Sequence, residues 1–186
     1  MSPGTPRELM DERAVERALA RMARELVERN GGVRDMVLVG VHRRGVPLSE
    51  RLADEIERAE GARPPVGSLD ITLYRDDLMA IGPRPVVGES RLPEGGIDGR
   101  AVVIVDDVFY TGRTVRAALD ELADFGRPSR ITLCVLVDRG GRELPIQPDV
   151  VGLTVQARAE QRVEVLIPPL DERLAVVMAD RPGDES

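Results

Sequence analysis

Three uninterrupted apolar runs constrain this chain more than any other feature: Met36–Val41, Ala101–Val105 and Ile131–Val137. A strand with one wet face alternates apolar and polar residues; these do not alternate, so both of their faces must be covered. Amphipathic stretches separate them. Val15, Ala18, Leu19, Met22 and Leu26 recur at helical spacing, with Asp11 upstream as a cap and Gly31-Gly32 as the stop. A second helix is expected from Pro47, with Leu48, Leu52 and Ile56 on one face, and a third carries Val115, Ala118, Leu119 and Leu122 before Gly126. Apolar strands alternating with helices build a doubly wound, mainly parallel sheet. The chain therefore reads as one α/β domain over residues 1–186, with a short tail at 181–186.

Leu69, Ile71 and Leu73 alternate with Asp70, Thr72 and Tyr74, as in a half-buried strand. Strands are also expected at 150–155, 162–167 and 173–178, completing the set. From Arg75 to Gly99 all periodicity is lost among repeated Gly and Pro. A loop this long inside a compact domain is usually functional, and it reads as a flexible lid that builds a small hood over the sheet.

Composition narrows the function. Of 186 residues, 42% are hydrophobic and 32% charged, too apolar for disorder. No apolar run approaches the ~20 residues of a membrane span, and the N-terminus lacks a signal-peptide core. Cys134 stands alone, which excludes an internal disulfide framework and points to a cytoplasmic address. The 26 cations are all arginine, so neither Schiff-base chemistry nor a P-loop lysine is available. A net charge of −7 argues against general nucleic-acid binding, and the absence of Trp against a base-stacking platform.

The stretch Asp106-Asp107-Val108-Phe109-Tyr110-Thr111-Gly112-Arg113-Thr114 carries the chemistry. In an open parallel sheet, ligands sit beyond the carboxyl ends of the strands. Here two carboxylates close an apolar strand, a hydroxyl-rich loop follows, and a helix begins. The loop can direct backbone N–H groups and the Thr111 and Thr114 hydroxyls at a phosphate. The carboxylates need another target, and a vicinal diol suits ionised acceptors. Phosphate on one side and diol acceptors on the other describe a ribose-5-phosphate cradle. No Gly-x-Gly-x-x-Gly follows a strand, so the dinucleotide reading lacks its fingerprint.

This segment resembles the phosphoribosyltransferase family, whose motif binds 5-phosphoribosyl-1-pyrophosphate (PRPP). The likeness runs from about Leu9 to Val165. Within the family, Leu69–Leu78 and Asp138–Pro145 are similar to the branch that joins uracil phosphoribosyl transfer to attenuation of pyrimidine operons. The resemblance implies a Mg²⁺-dependent transfer from PRPP to uracil, giving UMP and pyrophosphate. It implies that Asp107 and Asp106 hold the ribose and, partly through the substrate, Mg²⁺, with the catalytic role falling to Asp107. Arg75 would swing onto the pyrophosphate on lid closure. Val108 to Thr114, with Thr111, Gly112, Arg113 and Thr114 on the 5-phosphate, would bind PRPP, and Arg43, Arg44 and Gly45 would form the pyrophosphate loop.

The same resemblance implies binding of pyrimidine-operon leader RNA, through Arg24, Arg29, Arg43 and Arg142, and a homo-oligomer, dimer or tetramer. The sequence departs from the branch in places. Gly141 stands for a histidine, Arg24 replaces another, and Leu153–Ala157 loses a lysine and a Pro-Thr pair near the expected uracil pocket. A phosphoribosyltransferase for another base, with RNA binding weakened or lost, is the alternative. His42 is a lone histidine and cannot supply a metal cluster.

Overall fold

The computed structural model describes residues 5–71 and 89–181. In chain order the elements are β1 (Arg7–Met10), α1 (Glu12–Asn30), β2 (Met36–Val41), α2 (Gly45–Glu60), β3 (Val66–Leu69), β4 (Ala101–Phe109), α3 (Arg113–Phe125), β5 (Arg130–Asp138), β6 (Val150–Thr154), β7 (Gln161–Leu166) and β8 (Ala175–Asp180). The three apolar runs become β2, β4 and β5, the centre of a five-stranded sheet of order β3-β2-β4-β5-β6. All of its pairings are parallel.

Both faces are covered, as the missing alternation requires. Val103 and Val105 of β4 pack with Leu19, Met22, Leu48 and Leu52 from α1 and α2. Val102 and Ile104 pack with Val115, Ala118 and Leu122 from α3. Helix α1 begins where its capping residue dictates: the Asp11 carboxylate accepts the Ala14 N–H at 2.8 Å. It ends at Gly31, in the left-handed conformation at φ 73°. Arg21 of α1 serves the fold, donating to the Val151 and Gly152 carbonyls of the edge strand β6.

The structure differs from the reading of the sequence in several elements. The strands near 162–167 and 173–178 form, but outside the parallel sheet. As β7 and β8 they join β1, which the sequence did not announce, in an antiparallel sheet of order β1-β8-β7. That second sheet is drawn from both ends of the chain. Val163, Val165 and Val176 bind it into the core shared with α1 and α2. Strand β3 spans Val66 to Leu69, paired with Leu38 to Val41, and residues 72–74 of the strand expected at 69–74 lie outside the described residues. Helix α2 starts at Gly45 rather than Pro47.

The expected lid falls in two parts. Residues 75–88, including Arg75, lie outside the described residues. Residues 89–99 are fastened to the sheet: Ser68 and Arg91 exchange backbone hydrogen bonds at 2.7 and 2.8 Å, and Ile97 is buried. Among the described residues no helix is long and apolar enough to cross a membrane.

Cys134 lies in mid-strand β5 with no exposed surface, and burial pushes its thiol well above its ordinary pKa. Native protein should therefore resist an aromatic disulfide reagent at pH 8, with reaction appearing only as urea unfolds it. Rapid labelling of the folded protein would contradict this packing.

Candidate active site

Strand order fixes where a ligand can sit. The chain adds β3 on one side of β2 and β4 on the other, so the connections after β2 and β4 diverge and leave a crevice at their carboxyl ends. A cleft of about 300 Å³ occupies that crevice. Arg44 reaches it from the β2–α2 turn, Asp106 to Gly112 and Thr114 from β4 and its loop, and Arg162 to Val165 from β7.

The two carboxylates differ. They sit within β4, which continues to Phe109, rather than at its end. Asp106 is 6% exposed, and its Oδ1 accepts the N–H of Asp107 at 2.9 Å. Asp107 is half-buried and open to the cleft. Asp106 thus braces the backbone while Asp107 presents its carboxylate.

The loop beyond is formed by its own chemistry. Thr111 Oγ1 accepts the Arg113 N–H at 3.3 Å, and the Thr111 carbonyl accepts the N–H groups of Glu143 (2.9 Å) and Leu144 (3.2 Å). The segment after β5 therefore splints the loop. Tyr110 lies on Arg139, its ring centroid 3.8 Å from the guanidinium carbon. Arg139 is buried and donates to the carbonyls of Gln161 and Arg158, both at 2.9 Å, while its Nε has no partner among the described residues. Burial lowers its pKa, and the neighbouring Tyr110 opposes that. Gly141 belongs to this stack. At φ 89° a β-carbon there would stand 2.5 Å from Tyr110 Cε2, so a side chain would displace the ring.

Opposite the carboxylates, the β2–α2 turn presses on β4. A β-carbon on Gly45 would lie 2.5 Å from the Val105 carbonyl oxygen, so only glycine lets the turn approach this closely. The His42–Arg43 peptide bond in this turn is cis. Arg44 forms a two-pronged pair with Asp171, from Nε at 3.2 Å and Nη2 at 3.0 Å. The Asp171 hydrogen bond raises the Arg44 pKa despite burial, with Asp107 and Glu164 adding through space. Burial would raise the Asp171 carboxyl, but hydrogen bonds from Arg44 and the Ile167 N–H outweigh it and hold it below the usual range.

The residues singled out in the sequence separate accordingly. Asp106, Asp107, Val108, Phe109, Tyr110, Thr111, Gly112, Thr114 and Arg44 line the cleft together. The Arg113 side chain instead meets Glu143 at 3.2 Å, leaving its backbone N–H to the loop. Arg43 lines a neighbouring groove with His42 and Pro168, and Gly45 is buried beneath the turn. Arg24 and Arg29 lie on α1, where Arg29 pairs with Glu25 at 3.1 Å. Arg142 follows β5. Arg162, Glu164, Arg139 and Asp171 escaped the sequence reading. The Arg162/Glu164 alternation was the available signal for β7. Asp171 gave none, because its partner is 127 residues away.

Among the described residues no group of three His, Cys, Asp or Glu could hold a metal. Two adjacent carboxylates in a cleft nonetheless suit Mg²⁺, which keeps several waters and takes one or two carboxylates plus phosphate oxygens of a ligand.

The family described as the phosphoribosyl transferase domain matches residues 7–172. The "Bifunctional protein PyrR" of Herpetosiphon aurantiacus is 56% identical over 167 residues, covering 90% of this chain and 93% of that one. That of Thermus thermophilus is 53% identical over 176 residues, covering 95% and 97%. Among solved structures, the hypoxanthine phosphoribosyltransferase of Trypanosoma cruzi in a ternary substrates complex aligns with a TM-score of 0.69 at 19% identity, over 94% of this chain and 95% of that one. The Staphylococcus aureus enzyme gives 0.68 at 17%, over 95% and 93%. At such identity the likeness shows a shared fold.

Gly45→Ala should force the turn off β4 and destabilise the protein by about 1–3 kcal/mol, read as a lower urea midpoint at unchanged slope. An unchanged midpoint would mean that the turn does not rest on Val105.

Proposed function

The chain belongs to the phosphoribosyltransferase family and, within it, to the PyrR proteins, and from that premise we propose that it transfers the phosphoribosyl group of PRPP to uracil. The observation that carries the reading is the cleft itself, where the carboxylates of Asp106 and Asp107, a splinted hydroxyl loop and Arg44 converge at the switch point of the sheet.

In the reaction, uracil N1 forms a bond to C1 of the ribose, the C1–oxygen bond to pyrophosphate breaks, and the N1 proton leaves to solvent. Positive charge develops on the sugar ring, as in glycoside hydrolysis. The Asp107 carboxylate accepts hydrogen bonds from the ribose hydroxyls and lies on the side of that charge, while Asp106 holds the Asp107 backbone in place. Thr111, Thr114 and the loop N–H groups, with that of Arg113 turned toward Thr111 Oγ1, receive the 5-phosphate. Arg44 receives the departing diphosphate. Bound Mg²⁺ would neutralise charge on the pyrophosphate, with Asp106 and Asp107 as its protein ligands. Arg75 lies outside the described residues, and we assign it to closure over the pyrophosphate on the resemblance of its segment. No covalent nucleophile is needed for this transfer.

Incubation with uracil, PRPP and Mg²⁺ should yield UMP, and Asp107→Asn should lower kcat by at least about a hundredfold. Absence of UMP from the wild-type reaction would reject the activity; product from hypoxanthine instead of uracil would reassign the base.

We assign the second activity to uridine-nucleotide-dependent binding of pyrimidine-operon leader RNA, attenuating transcription, by a cytoplasmic homo-oligomer. In one protomer the four arginines do not make a contiguous patch. Arg43 and Arg142 share the carboxyl end of the main sheet, whereas Arg29 lies beside the start of β5, where Arg130 donates to its carbonyl. The length of β5 puts roughly 27 Å between its two ends, with Arg29 beside the first and Arg142 beyond the second. Arg43→Ala and Arg142→Ala should each weaken leader-hairpin binding and lower its salt slope by about one, measured by filter binding. Affinity no greater for the hairpin than for a scrambled RNA would exclude this activity.

A further inference from the structure

Arg44 is the cation expected to meet the diphosphate, yet two of its five N–H groups already point at Asp171. The pair joins the β2–α2 turn to the connection between β7 and β8, so it ties one wall of the cleft to the other. Asp171 is the fixed partner. Its Oδ2 also accepts the Ile167 N–H at 2.8 Å, its own N–H donates to the Ile167 carbonyl at 3.0 Å, and Ile167 is fully buried. The Arg44 side chain is the looser one, 34% exposed against 17% for Asp171.

Two other carboxylates compete for that guanidinium. Asp107 and Glu164 line the same cleft and both act on Arg44 through space. A long arginine with no fixed partner would swing onto Asp107 and neutralise the carboxylate that the ribose needs. A fork-on-fork pair prevents this, because two parallel hydrogen bonds fix the plane of the guanidinium as well as its distance.

We propose that Asp171 is a positioning residue for the transfer: it clamps Arg44 by Nε and one edge of Nη2, so that the remaining N–H groups are held for the diphosphate and kept off Asp107. The inference rests on the reading of the cleft as a PRPP site, and it assigns to one carboxylate the part of affinity that belongs to the diphosphate alone.

The test is calorimetry in Mg²⁺ with three ligands, PRPP, inorganic pyrophosphate and UMP, on wild-type protein and on Asp171→Asn, which keeps the shape and removes the charge. PRPP and pyrophosphate should bind about tenfold more weakly to the variant, the scale of one charge-assisted hydrogen bond. UMP, which has no diphosphate, should bind unchanged, and Asp171→Glu should restore part of the loss. Equal weakening of UMP would make the pair merely structural and overturn the inference, as would PRPP binding that Asp171→Asn leaves untouched. Wild-type protein that binds no PRPP would instead bring down the reading of the cleft, and this inference with it. A measurement on unmodified protein stands apart from both: the ¹⁵N spectrum should contain one slowly exchanging arginine Nε–H, assigned by its loss in Arg44→Lys. Its absence would overturn the clamp whatever the ligands do.

Discussion

The contact of Gly45 with the backbone of β4 sets the dimensions of everything at the carboxyl end of the sheet. β2 and β4 are hydrogen-bonded neighbours, so their ends are already fixed at one strand spacing. The turns that leave the two strands have to share that space. Because position 45 carries no β-carbon, the turn after β2 rests on Val105 and Asp106 instead of arching over them. Arg44 is thereby delivered to the same cleft as Asp107, and α2 starts directly beneath it. The parallel order decides that a crevice exists; the glycine decides that a cation and two carboxylates meet in it.

Such a meeting is unstable unless each charge has somewhere to be. Opposite charges in a partly dry cleft attract strongly and would close it on themselves. The protein distributes them instead. Asp106 is held by the Asp107 N–H, Arg44 by Asp171, Arg162 by Glu164 and Arg113 by Glu143. Asp107 is left as the half-buried carboxylate facing open volume. A cleft arranged this way is complementary to a ligand that brings both hydroxyls and phosphates, since neither alone would satisfy both walls.

The legible parts of the sequence were those whose physics is local. Helix α1 follows from an apolar stripe with Asp11 at one end and Gly31 at the other, and β2, β4 and β5 follow from residues that tolerate no wet face. Asp106 to Thr114 was legible because strand, carboxylates, loop and helix start are contiguous. The failures were distant or masked by composition. β1 is four residues of mixed character, Arg-Glu-Leu-Met, and is a strand only because β8 lies beside it. β7 and β8 looked like further members of the parallel sheet, since strand character says nothing of the partner or direction. The early start of α2 was hidden because Gly45 enters the helix for its lack of a side chain, not for any helical preference. Asp171 has no neighbour in sequence that marks it.

Gly141 shows how a departure from a family pattern can carry a second meaning in the fold. As a lost histidine it subtracts a donor from an RNA surface. In the fold it is the floor under Tyr110, whose ring covers both that backbone and the Arg139 guanidinium. Arg139 in turn reaches the carbonyls of Arg158 and of Gln161 at the start of β7, so the loop after β4, the segment after β5 and the second sheet are joined through Tyr110 and this arginine. A phosphate site built largely from backbone N–H groups depends on how firmly its loop is held, and only weakly on the side chains that decorate it. Arg113 can therefore face Glu143 while its backbone N–H stays with the loop, and glycine at position 141 leaves the space that the Tyr110 ring fills.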